Sequence, residues 1–254
     1  MLRAGLRTVL IGLVLSAQVF AAERSEPVHR DPGTGLSYRL AGAEGQVVVC
    51  ESATAEPMAN WDDVASALAP CARVLTYDRL GTGASAALSG SRVRGDDVAV
   101  RLHRLLRDLH LPTPVILVGH SIGGLYAQIF ARRFPREVVG VVLVDAASPL
   151  EPPGVFVPSS PPPAGTTAAA EEAGVSETMD ALRHGPDFPP VPLIVLSATK
   201  HDDTTDREAL WQEIQERTAR LSPRGQRVVV ESGHFIQRDR PEAVAAAIRS
   251  LACR

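Results

Sequence analysis

The sequence predicts an α/β fold in which a mostly parallel sheet is covered by helices on both faces. Short apolar runs rich in β-branched residues alternate with amphipathic stretches along most of the chain. The runs are nearly continuous in apolar residues, which is typical of strands buried on both faces. Repeated strand–helix units of this kind build parallel sheets, so the chain is expected to form one such layered domain.

The first half of the chain supplies five strand candidates and three helix candidates. An antiparallel start is expected, because only a short Gly-containing turn separates the candidate strand 36–40 from the Val-rich run 47–50. Leucines and valines at helical spacing, with arginines on the other face, predict a helix over 93–109. The remaining candidates are helices at 61–68 and 122–134 and strands at 73–77, 114–118 and 138–144.

The C-terminal part resumes this alternation after a stretch that interrupts it. Apolar runs predict strands at 191–196 and 227–230, and amphipathic segments predict helices at 208–221 and 241–251. Between them, the segment of about residues 146–190 carries a high density of prolines, which prevents a regular sheet and allows at most one helix, over 166–183. We interpret it as a short Pro-rich lid inserted into the domain; a disordered surface loop is the alternative.

Composition indicates a globular protein and argues against two classes of partner. The chain has 254 residues, of which 45% are hydrophobic and 22% charged, and its net charge is −3. That length is enough to bury a core within one domain. Nucleic acids and acidic membranes are bound by clustered Lys and Arg, and here the charges of both signs are interspersed. Neither partner is therefore expected.

The N-terminal segment 1–22 has the layout of a secretory signal peptide. Two arginines within 1–7 precede the uncharged segment 8–22, which ends in small residues at Ala21 and Ala22. The uncharged run is shorter than the roughly 20 residues that span a bilayer as a helix, although an uncleaved anchor is an alternative. We therefore expect a secreted or periplasmic protein whose mature domain, 23–254, makes no stable membrane insertion.

The strongest local signal is the sequence Val118-Gly119-His120-Ser121-Ile122-Gly123-Gly124, placed between a predicted strand and a predicted helix. G-x-S-x-G in that setting is a nucleophile elbow, which exposes the Ser121 hydroxyl on a sharp turn. A Cβ at Gly119 or Gly123 is expected to collide with neighbouring backbone. The helix N-terminus places the Ile122 N–H where an oxyanion develops, so Ile122 is expected to contribute to an oxyanion hole.

A second signal, Ser232-Gly233-His234-Phe235, follows the last predicted strand. His234 lies C-terminal to Ser121, as the chain order nucleophile, acid, histidine requires. Histidine titrates near neutral pH, which suits a general base. We therefore expect His234 to be the catalytic base.

Four motifs in this order resemble the α/β-hydrolase superfamily, and most closely its esterase- and lipase-like fold-1 group. They are 77–85 (Tyr-Asp-Arg-Leu-Gly-Thr-Gly-Ala-Ser), 119–124, 142–145 (Val-Leu-Val-Asp) and 233–237 (Gly-His-Phe-Ile-Gln). The resemblance covers about residues 35–251. It implies an eight-stranded central sheet, no cofactor, and acyl transfer through an acyl-serine.

Two carboxylates are candidates for the acid that orients His234. Asp145 follows the strand 138–144, and the resembling group usually carries an aspartate at that place. Asp202 follows the next strand and is the alternative acid. Either could instead serve structure alone, Asp145 by hydrogen-bonding loop amides and Asp202 as a helix N-cap.

The second oxyanion donor is expected from the loop after the strand 47–50. Family members usually have glycine there, whereas this chain reads Glu51-Ser52-Ala53-Thr54, so the backbone N–H of Thr54, or that of Ala53, is the candidate. The nearby Asp78, Arg79 and Ser85 are interpreted as structural residues that order a turn below the site.

The expected function is a serine hydrolase that cleaves a small-molecule carboxylic ester with the triad Ser121, His234 and Asp145. An acyltransferase or lactonase would use the same residues. A non-catalytic or weakly catalytic ligand-binding module on the same fold is the alternative. No Cys or His cluster has metal-ligand spacing, so no metal site is expected. The oligomeric state is left open.

The three cysteines allow two arrangements. In the resembling fold, the helices that precede Cys71 and Cys253 pack on one face and end at the sheet edge opposite the site. A disulfide between these two is therefore possible, whereas Cys50 would lie at the catalytic edge, too far from both. Three buried free thiols are the alternative.

Overall fold

A sheet of eight strands forms the centre of the structure, a computed structural model that describes residues 26–156, 160–201 and 203–253. The predicted signal peptide, 1–22, and Asp202 lie outside the described residues. The strands are β1 (His29–Arg30), β2 (Ser37–Ala41), β3 (Gln46–Glu51), β4 (Ala72–Asp78), β5 (Val115–His120), β6 (Val138–Val144), β7 (Leu193–Ala198) and β8 (Gly225–Val230). Their order across the sheet is β1-β2-β4-β3-β5-β6-β7-β8.

All neighbours from β4 to β8 are parallel, and β1 and β2 add an antiparallel edge. The helices are α1 (Asp62–Leu68), α2 (Gly95–Asp108), α3 (Ile122–Arg133), α4 (Thr167–His184), α5 (Thr205–Ala219), α6 (Ile236–Asp239) and α7 (Pro241–Ala252). The predicted α/β class, with its mostly parallel eight-stranded sheet, is confirmed.

The pleat of the sheet divides the core into two apolar layers. Val47 and Val49 of β3 face the layer that includes α2 and α3, while Val48 and Cys50 face the layer that includes α1 and α7. All four side chains are buried, which explains why this strand is apolar without interruption. Within the described residues, no helix combines the length and the apolar character needed to cross a membrane.

The antiparallel start is present, but β2 pairs with β4 rather than with β3, which follows it in the chain. The connection from β2 to β3 crosses the beginning of β4 instead of closing a tight hairpin. Gly42 and Gly45 both adopt positive φ there, and a Cβ on Gly42 would lie 2.2 Å from the carbonyl oxygen of Ala72. Because glycine has no Cβ, the connection can pass close to the start of β4, which lies between the two strands.

The Pro-rich insertion contains one ordered helix, α4, whose N-terminus is capped by the side chain of Thr166. The helix packs on α2 and α3. Contact with the segment before α2 is close, because the Val93 N–H donates to the carbonyl of Ala170 and a Cβ on Gly174 would lie 1.6 Å from the carbonyl oxygen of Val93. The disordered-loop alternative is therefore wrong for the part of the insertion that forms α4.

Cys71 and Cys253 form a disulfide with their Cα atoms 5.6 Å apart, and Cys50 is a buried free thiol. The bond joins the residues that follow α1 and α7, two helices that pack against each other. The alternative arrangement, with three free thiols, is therefore wrong.

Counting thiols checks the disulfide. A maleimide added to denatured, unreduced protein should label one cysteine, Cys50, and should label all three after reduction. Denaturation is necessary because burial raises the pKa of the Cys50 thiol and leaves little reactive thiolate in the folded protein. Cys253→Ser should lower the free energy of unfolding by about 2–4 kcal/mol. Labelling of three cysteines before reduction would contradict the bond.

Candidate active site

Ser121 occupies a sharp turn between β5 and α3, with φ 54° and ψ −126°. Residues other than glycine rarely adopt such a backbone conformation, and it is a form of strain found at functional sites. The turn needs the two glycines of the motif: a Cβ on Gly119 would lie 2.6 Å from the carbonyl oxygen of Gly123, and one on Gly123 would lie 2.6 Å from that of Glu51. The collisions expected from the sequence are confirmed.

Two backbone hydrogen bonds attach this turn to the end of β6. The Ser121 N–H donates to the carbonyl of Val144 (3.3 Å), and the Ala147 N–H donates to the carbonyl of Ser121 (3.0 Å). Asp145 lies between these two contacts and itself has a positive φ of 42°. The serine turn and the residue after β6 are therefore held side by side.

His234 lies in the loop after β8, and its Nδ1 is 2.6 Å from Oδ2 of Asp145. A carboxylate only accepts hydrogen bonds, so Nδ1 carries a proton, and the neutral form of this ring has its lone pair on Nε2. Of the two candidate acids, the structure brings Asp145 to His234; Asp202 lies outside the described residues. This is the pairing that a nucleophile–base–acid triad requires between its second and third members.

The carboxylate of Asp145 is buried and accepts three further hydrogen bonds. Oδ1 accepts from the Ala198 N–H and from the Trp211 indole, each at 2.9 Å, and Oδ2 also accepts from Nε2 of His201 at 2.7 Å. Burial would raise the pKa of Asp145, but the hydrogen bonds from His201 and His234 outweigh it and hold that pKa below its ordinary value. Asp145 is therefore an anion at neutral pH.

His201, which the sequence analysis missed, lies between two carboxylates. Its Nδ1 is 2.7 Å from Oε2 of Glu208 on α5, while its Nε2 contacts Asp145. Burial would lower the pKa of His201, but the hydrogen bonds to Asp145 and Glu208 overcome it and raise the pKa to about 9. The sequence feature that could have identified His201 is its position three residues after the end of β7. The loops at the carboxyl ends of parallel strands often carry functional side chains.

His120, the second residue of the serine motif, fixes the loop that carries His234. Its Nε2 donates to the backbone carbonyl of His234 (2.9 Å), and its Nδ1 accepts from the side-chain amide of Gln237 (2.9 Å). Burial, aided by the neighbouring His234, lowers the pKa of His120 to about 3. His120 is consequently neutral and keeps the tautomer that holds the loop.

Ser121 and His234 line the same open cleft, together with Trp211 and Phe156. No hydrogen bond joins the Ser121 side chain to His234 within the described part of the chain. Ser121 also lines a second cavity, together with Ile122, Thr54 and residues of the insertion and α4. The serine thus borders both cavities, and residues of the insertion line each of them.

The predicted oxyanion donors border this second cavity. Ile122 is the first residue of α3, so its N–H has no acceptor within the helix. Among the described residues, the N–H groups of Ala53 and Thr54 also have no protein acceptor. Ile122 and Thr54 line the cavity together with Ser121, whereas Ala53 is buried and does not line it.

Arg79 holds the loop that carries Ala53 and Thr54. Its buried guanidinium donates to the carbonyls of Ser52 (2.7 Å) and Ala53 (2.6 Å) and pairs with Glu171 of α4 (2.6 Å) and Glu51 (3.3 Å). Burial raises the pKa of Glu51 to about 7 even though Arg79 and Tyr77 favour its charged form.

Asp78 and Ser85 order the neighbouring turn, as expected. The Asp78 carboxylate accepts from the N–H groups of Met58 (2.7 Å) and Ala84 (3.1 Å), and the Ser85 hydroxyl donates to the Asp78 carbonyl (2.6 Å). The structural interpretation of these residues therefore stands, and Arg79 does more than order a turn.

Asp145, His201 and His234 present oxygen and nitrogen atoms within 4.8 Å of one another. Such residue types also occur in metal sites. The hydrogen bonds described above account for this arrangement without an ion. The expectation that the protein needs no metal stays a prediction.

Comparison with known proteins agrees with the geometry. Residues 46–185 match a family model described as alpha/beta hydrolase fold. The chain is 24% identical to the uncharacterized protein YqjL of Bacillus subtilis over 217 residues, which are 84% of this chain and 85% of that protein.

Two solved structures resemble the chain over most of its length. A thermophilic esterase from Thermogutta terrifontis has a TM-score of 0.70 and 22% identity, with 85% of this chain and 92% of that chain covered. An enol-lactonase from Burkholderia xenovorans LB400 has a TM-score of 0.68 and 19% identity, with 89% and 99% covered. At these identities, the likeness establishes the fold.

The pH dependence of stability tests the environment of His201. Because its pKa is raised from 6.5 to about 9, its charge interactions stabilise the fold fully below about pH 6.5 and are lost as the pH rises through about 9. The difference in free energy of unfolding between the wild type and His201→Gln should therefore shrink over that range. His29→Gln, which removes an exposed imidazole on β1, is the control. A difference independent of pH would contradict the assigned environment.

Proposed function

Because the chain belongs to the alpha/beta hydrolase family, we propose that it is a serine hydrolase that cleaves a small-molecule carboxylic ester. In this proposal Ser121 is the nucleophile, His234 the general base, and Asp145 the acid that orients His234. No cofactor takes part. The reaction passes through an acyl-serine intermediate.

One observation carries the proposal: the 2.6 Å hydrogen bond between His234 and Asp145, beside the strained turn of Ser121. A ligand-binding module on this fold would need neither a strained serine nor a histidine whose tautomer is fixed by a buried carboxylate. Both features match what activation of a serine hydroxyl requires.

In the first half-reaction, the Ser121 oxygen attacks the ester carbonyl carbon while Nε2 of His234 takes the hydroxyl proton. The carbonyl oxygen becomes an oxyanion, which the N–H groups of Ile122 and of Thr54 or Ala53 stabilise. Asp145 remains charged and stabilises the imidazolium. Loss of one such oxyanion donor typically raises the barrier by about 3 kcal/mol, so the loop that Arg79 holds is important for rate.

Collapse of the tetrahedral intermediate breaks the bond to the alcohol oxygen, which takes the proton from His234 and leaves. Water then enters, His234 removes one of its protons, and the resulting attack forms a second tetrahedral intermediate on the same carbon. Its collapse returns the proton to the Ser121 oxygen and releases the carboxylic acid. Each proton therefore moves through one atom, Nε2 of His234.

The same residues can open a cyclic ester, and a lactone is a second candidate substrate. The structural resemblance to an enol-lactonase favours it, and the two cavities that Ser121 lines give room beside the nucleophile. An acyltransferase would differ only in the acceptor that replaces water. Chromogenic esters of graded acyl length and a set of lactones, assayed side by side, would distinguish these substrates.

We also propose that the protein is secreted or periplasmic. The segment 1–22 supports export by its layout, and the disulfide between Cys71 and Cys253 supports it because such bonds persist in oxidising compartments. N-terminal sequencing of the protein recovered from its native host would test the proposal. A mature chain starting near residue 23 is expected, and a chain that starts at Met1 would contradict it.

Removal of the Ser121 hydroxyl should abolish ester hydrolysis. Triad members act as a unit, so Ser121→Ala should lower kcat by about 10⁴-fold or more while the protein stays folded. Labelling with a fluorophosphonate probe should modify the wild type at Ser121 and leave the variant unlabelled. Ser250→Ala, which removes an exposed hydroxyl from α7, is the matched control. Retention of more than a few per cent of the rate by folded Ser121→Ala would exclude this nucleophile.

Substitution of each candidate acid separates their roles. Asp145→Asn should lower kcat by about 10⁴-fold, because an amide nitrogen beside Nδ1 favours the wrong tautomer of His234. Asp202→Asn should have a mild effect. Steady-state kinetics on one ester, with circular dichroism of each variant, measures the ranking. The opposite ranking would assign the acid to Asp202.

A further inference from the structure

His201 has a carboxylate oxygen at hydrogen-bond distance from both of its ring nitrogens, Asp145 on one side and Glu208 on the other. A neutral imidazole carries one N–H, and its other nitrogen has a lone pair, whereas a carboxylate only accepts. In the neutral form, one of these contacts would therefore place two lone pairs face to face. The geometry fits an imidazolium, which donates to both carboxylates.

We propose that His201 is a positioning residue that acts on His234 through their shared partner, Asp145. As a cation, His201 orients the Asp145 carboxylate and offsets part of its charge. His234 therefore stays unprotonated, and able to act as a base, at a lower pH than it would beside Asp145 alone. This inference rests on the proposed function. It adds a residue to the triad assignment rather than replacing one.

The contacts at Asp145 make this coupling direct. His201 and His234 donate to the same atom, Oδ2, and their ring centroids are 6.3 Å apart. A cation at that distance opposes protonation of a second imidazole. The other side of Asp145 is occupied by Ala198 and Trp211, so the carboxylate cannot turn away from His201 without loss of those bonds.

Other titratable groups also face this cluster. Glu151 is buried and accepts from the Ser148 N–H at 2.6 Å, and the neutral ring of His120 lies 4.6 Å from that of His234. Lys200 pairs with Glu231 at 2.8 Å, and Arg207 pairs with Asp203 at 2.7 Å. The titratable residues that line the cleft with His201 and His234 are Glu151, Lys200, Asp203, Arg207, Glu208 and Asp239. Of these, Glu208 is the residue that the structure joins to His201 by a hydrogen bond.

Glu208→Gln removes the charge partner while it preserves the shape of the cluster. The side-chain amide of Gln212 donates to Oε1 of Glu208 at 2.6 Å, and a glutamine oxygen can accept that bond. The glutamine NH₂ then faces Nδ1 of His201, where it donates to a neutral ring. His201 can thus lose its proton and still donate from Nε2 to Asp145.

The test is the pH profile of kcat/KM for ester hydrolysis. With a neutral His201, His234 holds its proton more tightly, so in Glu208→Gln the acidic limb should move to higher pH by about one unit or less. His201→Gln should move it further, because the cation is lost and the Glu208 charge remains. If His201 merely supports the fold, rates fall without a shift of this limb; a shift to lower pH in His201→Gln would show that His201 does not act as a cation on His234. Either result overturns the proposal.

Glu213→Gln is the matched control. It removes the same charge from α5 at a residue with 64% of its side chain exposed, paired with Arg217 at 3.7 Å. Its profile should coincide with that of the wild type. A shift equal to that of Glu208→Gln would assign the effect to general charge and contradict the proposal.

A readout without turnover separates this inference from the proposed function. In Ser121→Ala protein, ¹H–¹⁵N correlation spectra should show both ring nitrogens of His201 protonated up to about pH 9, with the signal assigned by its loss in His201→Gln. The Glu208→Gln change should move this titration to lower pH. A neutral His201 at pH 7 would refute the inference whatever the enzyme hydrolyses; a missing ester activity with this titration intact would refute only the proposed function.

Discussion

The carboxylate of Asp145 is buried at the end of β6, and its two oxygens accept hydrogen bonds from the Ala198 N–H, Trp211, His201 and His234. Those donors come from the end of β7, the helix α5 and the loops after β7 and β8. The Asp145 N–H adds a bond to the carbonyl of Leu196 at 2.7 Å. Each of these segments is aligned to the others through one charged group, and an apolar replacement would leave buried donors unpaired.

A second buried charge, the guanidinium of Arg79, aligns the segments beside the second cavity. It joins the loop after β3 to the insertion helix α4, because it pairs with Glu171 and donates to two carbonyls of that loop. Glu171 reinforces the connection, since it also accepts from the Ala55 N–H at 2.7 Å. Loss of either partner would leave an uncompensated buried charge, which is strongly destabilising. The position of α4 is thus coupled to that of the proposed oxyanion loop.

Both networks lie at the edge of the sheet where the parallel strands end, and this follows from the topology. The ends of β3, β5, β6, β7 and β8 carry Glu51, Ser121, Asp145, His201 and His234, or lead directly into the loops that do. Parallel strands bring their carboxyl ends to one edge, so residues far apart in sequence become neighbours there. The disulfide closes the chain through residues that follow α1 and α7, away from these strand ends.

The sequence by itself determined the features that depend on local physics. The alternation of apolar strands and amphipathic helices reproduced the parallel sheet, with the strand 138–144 predicted at the bounds observed for β6. Gly119 and Gly123 identified the serine turn, because only residues without a Cβ fit the close backbone contacts found there. Periodicity and glycine requirements operate over a few residues, so they can be read without knowledge of the fold.

Only the tertiary structure decided which distant groups meet. It placed His234 against Asp145 across 89 residues of sequence, His201 against the same carboxylate across 56, and Cys71 against Cys253 across 182. It also inserted β4 between β2 and β3, where the sequence suggested a simple antiparallel start. A histidine after a strand carries no local mark of its partner; its protonation and its role depend on the burial and the carboxylates that the packed fold supplies.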